Sequence, residues 1–465
     1  MPQRHTIGFW DIVLYATAMN FGIRWLSTAA VAGPASLLIW AFAAVGFLAP
    51  LAIATAELAG RHDGEGAVYV WTREALGPFA GFVCGWIYWT CNLLFFSGLL
   101  YFIVGVIATA CGPDIKAALD QPGAHVIVAC CLALGVAALH LAGLGVGKWL
   151  PNIGAASSLT LLAFLLGVGV ILAAATGSAT SFSDASYLPT FDANGAILWS
   201  TMVFAFGGAE GVALLRNDVR GGMAHLVRAV GVVGVFLTVA YIAGSAAIMA
   251  IIPTAEASRL SGLPDAIAIS LERLGHAGWA PIALSVLTVA SLGSYSAWFG
   301  VAARLPLAVG IDRFAPAVFA RLHPRTGAPV AAIVTQTAIV ILLIVLSEAG
   351  ATMEAAYDFL IAMSVLSYTL PFVFLFVAYL KAQAHAAPEG AWTTPGGAPV
   401  ARVIGWTGLL VSLSAIACTL VPSPDAADPA GATLKLLFAS GVLILSGAGI
   451  YALARARRAE TSPGA

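Results

Sequence analysis

Met19-Asn20-Phe21-Gly22-Ile23-Arg24-Trp25-Leu26 sets a glycine and an arginine in the middle of a long apolar run. Phe204-Ala205-Phe206-Gly207-Gly208-Ala209-Glu210-Gly211 repeats the combination with a glutamate. A charge at bilayer depth costs about 2.5–3.5 kcal/mol on insertion scales, so such residues face a bundle interior rather than lipid. Glycine adopts backbone conformations that other residues avoid. Both stretches therefore read as interruptions in membrane-crossing helices. They fall in the first and sixth apolar runs of the chain, five crossings apart. Two halves that each open on a broken helix are the pattern of an inverted-repeat transporter, whose half-helix ends meet near the midplane and bind the substrate. Half-helix N-termini offer N–H groups to a carboxylate and C-termini offer carbonyls to an ammonium, so an α-amino acid suits such a site.

The rest of the chain supports a membrane setting. Of its 465 residues 60% are hydrophobic and 9% charged, against about 25% charged in a typical soluble protein. So few charges cannot cover a water-facing surface of this size. Twelve runs reach spanning length, at roughly 9–33, 35–58, 80–111, 124–143, 152–176, 196–215, 229–252, 279–303, 328–347, 355–380, 402–421 and 432–454. They are long and continuous, which argues for helices and against the alternating strands of a barrel. The first lacks the small-residue cleavage site of a signal peptide. The expected fold is an all-α integral membrane protein of twelve transmembrane helices. It forms a single transporter domain over 1–421 and 432–454, with repeats at 9–176 and 196–380, extra helices at 402–421 and 432–454, and a disordered cytoplasmic tail at 455–465. With both termini inside, sixteen of the 21 Lys and Arg fall on the inner side and four on the outer, Arg24 lying within the first span. That asymmetry predicts a multi-pass protein of the cytoplasmic (inner) membrane.

Several functions are excluded or disfavoured. Net charge is −1, with no basic block to track nucleic acid. The six cysteines form no CxxC pattern and lie near no histidine at zinc-ligand spacing, so neither disulfides, a metal site nor a cofactor is expected. Without a nucleophile–base cluster at membrane depth, the chain does not read as an enzyme.

After the first break the chain reads Ala32-Gly33-Pro34-Ala35-Ser36-Leu37, then Ala56-Glu57-Leu58-Ala59, Gly64-Glu65-Gly66, Tyr69, Leu76-Gly77-Pro78, Gly81-Phe82, Gly85-Trp86 and Tyr88-Trp89. After span 8 it reads Trp298, Arg304 and Pro306, then Asp312-Arg313-Phe314-Ala315-Pro316, Phe319-Ala320, His323-Pro324 and Thr326-Gly327-Ala328-Pro329. In these motifs, from span 1 to about span 10, the chain resembles the amino acid–polyamine–organocation superfamily of permeases. The resemblance implies a leucine-transporter-like fold of five helices, an inverted repeat of five, and two more. It implies secondary transport of amino acids or related amines by alternating access, with a proton or sodium ion as coupling ion. It leaves a homodimer open.

Carried over position by position, the Gly-Ser-Gly of the family's first break corresponds to Gly22, Ile23 and Arg24. The last small residue has thus become arginine, which would either crowd a carboxylate or clamp it. The expected substrate contacts are Asn20, Gly22, Ile23, Arg24, Phe204, Gly207, Gly208, Ser294 and Trp298, of which the resemblance supplies Gly22, Ile23, Arg24, Phe204 and Trp298. It gives gating or proton coupling to Glu210. Tyr368, beside Ser367 and before Pro371 in span 10, reads as a gate, belt or packing residue. A fixed positive charge at Arg24 favours neutral or acidic amino acids. A transport-inactive amino-acid sensor, a polyamine permease and a channel are the alternatives. The segment Arg216-Asn217-Asp218-Val219-Arg220 lacks the proline of the family's Glu-x-x-Lys-Asn-Pro, which marks a divergent member. Among other residues, Glu57 and Arg61 read as a surface pair four apart, Trp86 and Tyr88 as interface anchors, His140 as a packed histidine and 312–322 as a short interfacial helix.

Overall fold

The computed structural model describes residues 8–62, 67–119, 121, 123–143, 147, 149–183, 186–190, 192–212, 222–306, 316–347, 353–422 and 428–461. The motif Gly64-Glu65-Gly66, the segment 216–220 and positions 312–315 lie outside them.

Nine helices of the described residues are long and apolar enough to cross a membrane. They are span 2 (Ala35–Arg61), span 3 (Pro78–Cys111), span 4 (Ala124–Leu141), span 5 (Trp149–Thr176), span 7 (Gly222–Ile251), span 8 (Ala277–Ala302), span 10 (Tyr357–Ala382), span 11 (Gly397–Thr419) and span 12 (Pro429–Arg457). Three more complete the twelve. Span 9 is the shorter apolar helix Val330–Ser347. Span 1 is split into Phe9–Asn20 and Trp25–Ala30. Span 6 is split into Ala193–Ala205 and Ala209–Val212. The helix of span 12 continues to Thr461, past Arg455 where the polar tail was expected to begin. Of the expected interfacial helix, the described part holds one short 3-10 turn, Ala317–Ala320.

Local sequence explains several boundaries. Asp192 caps span 6, its side chain accepting from the Gly195 N–H at 2.7 Å. The Arg273 guanidinium donates to Ile251 O at 2.9 Å and so satisfies a carbonyl at the end of span 7. Pro50 has no N–H for the helix, and the turn before it, Ala44–Leu48, widens to a π turn. Pro371 likewise has no N–H to give inside span 10, so the Ser367 carbonyl, beside Tyr368, loses its helical donor while the helix stays α.

Packing follows the five-span offset. Span 5 packs extensively on span 8, and span 3 on span 10. Moving each partner by five spans exchanges these two pairs. Span 1 likewise packs on span 7, and span 6 on span 2. This is the five-plus-five arrangement with two added helices. Close approach needs small residues, because lipid gives no hydrophobic drive to bring helices together. Gly154 of span 5 and Gly293 of span 8 meet so closely that a Cβ on either would lie 2.5 Å from the other's Cα. The outward faces carry large apolar side chains such as Phe42, Val45, Leu342 and Leu445, the surface a bilayer requires.

Two sequence expectations are corrected here. Glu57 is not a surface residue: it is 1% exposed and accepts from Arg61 (2.9 and 2.7 Å), from Gln383 Nε2 (3.0 Å) and from the Thr394 N–H (2.9 Å) and hydroxyl (2.5 Å). The segment between spans 10 and 11 folds back over the end of span 2 and covers it, which a pairwise spacing cannot reveal. Tyr88 is not an interface anchor. Span 3 is 34 residues long, so position 88 lies well inside it and points into the bundle. Trp86, two residues earlier, donates to Leu443 O of span 12 at 3.0 Å. His140 is packed, meeting the Ser296 hydroxyl at 3.0 Å and the Phe299 ring.

Candidate substrate pocket between the broken helices

Both interruptions are present. In span 1 the Phe21 N–H still reaches Thr17 O at 2.8 Å; the chain then leaves the helix and restarts with Trp25 N–H to Gly22 O (3.0 Å) and Leu26 N–H to Ile23 O (3.2 Å). The Trp25 ring folds back onto Gly22, where a Cβ would stand 2.6 Å from the indole nitrogen. In span 6 the Gly207 N–H turns back to Phe204 O at 2.9 Å. Gly208 has φ 122°, a region that side-chain-bearing residues rarely enter, and its N–H donates to Glu210 Oε2 at 3.0 Å. A Cβ at Gly208 would collide with the Asn20 side-chain oxygen, so the two breaks are in contact.

A residue that the sequence reading did not single out joins them. The Tyr241 hydroxyl of span 7 donates to Asn20 O at 2.9 Å, receives the Gly22 N–H at 3.1 Å and lies 3.4 Å from Ala205 O. Its ring stacks on Trp40, centroids 4.4 Å apart. A signal was present: aromatic belts lie at helix ends, and a tyrosine midway along an apolar helix needs a partner for its hydroxyl. Tyr241→Phe is expected to cost about 1–2 kcal/mol of stability, since both backbone groups would lose their partner in a dry site. A melting temperature in detergent equal to that of the wild type would contradict the bridge.

Between the breaks lies a cavity of about 40 Å³. Eight expected residues line it: Asn20, Gly22, Arg24, Phe204, Gly207, Ser294, Trp298 and Tyr368. Ile23, Gly208 and Glu210 are not in its wall. Span 3 adds Cys91, Asn92 and Phe95, none of them among the expected contacts. Trp298 is held by its indole N–H, donated to Met19 O at 2.7 Å. Phe204 stands edge-on to Trp25 and Tyr368.

The two charges are separated. Glu210 is fully buried and takes three donors: Tyr88 at 2.8 Å, Tyr368 at 2.6 Å and the Gly208 N–H. Arg24 is 3% exposed; its guanidinium lies over the Trp25 ring at 3.9 Å and the Phe95 ring at 4.6 Å, and it abuts Tyr357. Its Nε and Nη2 have no hydrogen-bond partner. Tyr357 and Tyr368 lie about three turns apart on the same helix, and among the described residues no ion pair joins Arg24 to Glu210. Asp358, the carboxylate beside Tyr357, meets Arg259 at 3.5 Å. Arg24 therefore has no ion-pair partner among the described residues. Asn20 supplies the opposite polarity: its amide nitrogen donates to Ala16 O at 2.8 Å, while its oxygen, at the pocket wall, has no donor.

A family model described as an amino acid permease matches residues 7–446. The chain belongs to that family. This permease is 26% identical over 431 residues to an uncharacterised transporter of Legionella pneumophila, covering 90% of each chain. It is 25% identical to a putative arginine/ornithine antiporter of Escherichia coli, covering 75% of each. It is 23% identical to a probable agmatine/putrescine antiporter of Lactococcus lactis, covering 58% of this chain and 56% of that one. Among solved structures it resembles the manganese transporter of Eremococcus coleocola in fold, with a TM-score of 0.56 at 13% identity over 98% of this chain and 99% of that one.

Proposed function

We propose that this permease is a secondary active transporter that moves an amino acid across the cytoplasmic membrane by alternating access. Residues 1–421 and 432–454 form its transporter domain, with repeats over 9–176 and 196–380 and both termini inside. One observation carries the reading: the cavity between the two broken helices is lined by Arg24, with an unpartnered guanidinium edge, and by Asn20, with an unpartnered side-chain oxygen. Buried polar atoms without partners are costly. A ligand with a carboxylate and an ammonium would satisfy both. Trp298 and Phe204 close over the rest of the substrate. The amines in the names of the antiporter relatives would instead bring positive charge to an unpaired guanidinium. Glu210, one residue from the second break and held by Tyr368 at the wall, is placed to couple binding to a proton or to gating.

Counterflow in proteoliposomes tests this. Vesicles loaded with a mixture of unlabelled amino acids should accumulate a labelled one saturably. Saturable binding without accumulation would mean a sensor, uptake that never saturates would mean a channel, and agmatine or putrescine as the accumulated species would mean an amine permease.

A further inference from the structure

Within the amino-acid reading above, on which this step rests, the geometry points to a substrate of net charge −1, an acidic amino acid whose extra carboxylate is held by Arg24. Among the described residues that line the cavity, Arg24 is the only one with a charged side chain. A zwitterion entering the cavity brings one charge of each sign, so even with its carboxylate on the guanidinium the loaded pocket keeps a net positive charge. An acidic amino acid brings two carboxylates and one ammonium and neutralises it. Buried charges persist where they are paired, and neither Glu210, engaged by Tyr88, Tyr368 and the Gly208 N–H, nor Asp358, engaged by Arg259, is the partner.

The shape of the vacancy agrees with the charge. Nε and Nη2, the two unpartnered atoms, form one edge of the guanidinium, the edge that receives a carboxylate side-on through two parallel hydrogen bonds. The rings of Trp25 and Phe95, 3.9 and 4.6 Å from the guanidinium carbon, hold that fork before the ligand arrives. A lysine in its place would keep the charge but not the planar fork.

Isosteric pairs test this, because L-aspartate and L-asparagine, or L-glutamate and L-glutamine, differ in side-chain charge at nearly equal size. Binding is read by thermal shift and by competition in counterflow. In the wild-type protein at least one acidic member is expected to bind on the order of 100-fold or more tightly than its amide. Arg24→Gln should abolish that preference, and Arg24→Lys should restore part of it. The wild-type comparison needs no variant, so it stands even where a variant fails to fold. An amide that binds as well as its acid overturns the acidic substrate and leaves an amino-acid transporter. A preference that survives Arg24→Gln overturns the role of Arg24. Protein that takes up no amino acid at all overturns the underlying reading.

Discussion

Glu57→Ala is expected to destabilise the permease by about 3–5 kcal/mol, the range found when one partner of a buried ion pair is removed. Five hydrogen bonds converge on this carboxylate, from Arg61, Gln383 and Thr394. Arg61 also donates to His385 O at 3.1 Å, and the Tyr379 and Thr394 hydroxyls lie 2.6 Å apart. Without Glu57, the Arg61 side chain, only 10% exposed, keeps its charge with no counterion. The connection between spans 10 and 11 then loses its hold on span 2. Thermal unfolding in detergent reads the effect. Because Glu57 is not in the pocket wall, ligand affinity of the protein that remains folded should be unchanged. A melting temperature within a degree or two of the wild type would show that the network contributes no more than an exposed pair, about 0–1 kcal/mol.

Gly208→Val is expected to abolish transport, with a fall of on the order of 100-fold or more in counterflow, because it acts on both broken helices at once. A β-branched residue at φ 122° carries a backbone cost of about 1–3 kcal/mol, and its Cβ would occupy the place of the Asn20 oxygen. Relief requires the second break to move away from the first. Gly135→Ala is the control, since nothing lies within 4 Å of a Cβ there, and it should transport normally. Wild-type rates in Gly208→Val would mean that contact between the breaks is dispensable.

Much of this architecture is legible in the sequence, for a physical reason. Lipid forces every spanning segment to be a long apolar helix, so the crossings can be read off by length, and glycine beside a charge stands out against them. Gly22, Arg24, Phe204 and Gly207 lie in those two stretches, whereas Trp298 is found through the family resemblance. Contacts between distant helices were not legible. Whether Arg24 meets Glu210 depends on where half-helices point, and the structure gives each a separate neighbourhood. The covering of Glu57 by residues 383–394 and the inward aim of Tyr88 depend on a loop path and on helix length. Tyr241 shows the same limit: its mid-helix position signals a buried partner but cannot say that the partner is two backbone breaks on two other helices.

The Tyr241 hydroxyl has one hydrogen to give and two carbonyls before it, Asn20 O at 2.9 Å and Ala205 O at 3.4 Å. Turning the O–H about its bond to the ring would pass that hydrogen from one interrupted strand of the backbone to the other with no heavy atom leaving its place. A sub-ångström drift of span 6 against span 1 is enough to reverse which carbonyl is nearer. The two breaks thus share one hydroxyl, and the hydrogen it gives to one carbonyl is withheld from the other.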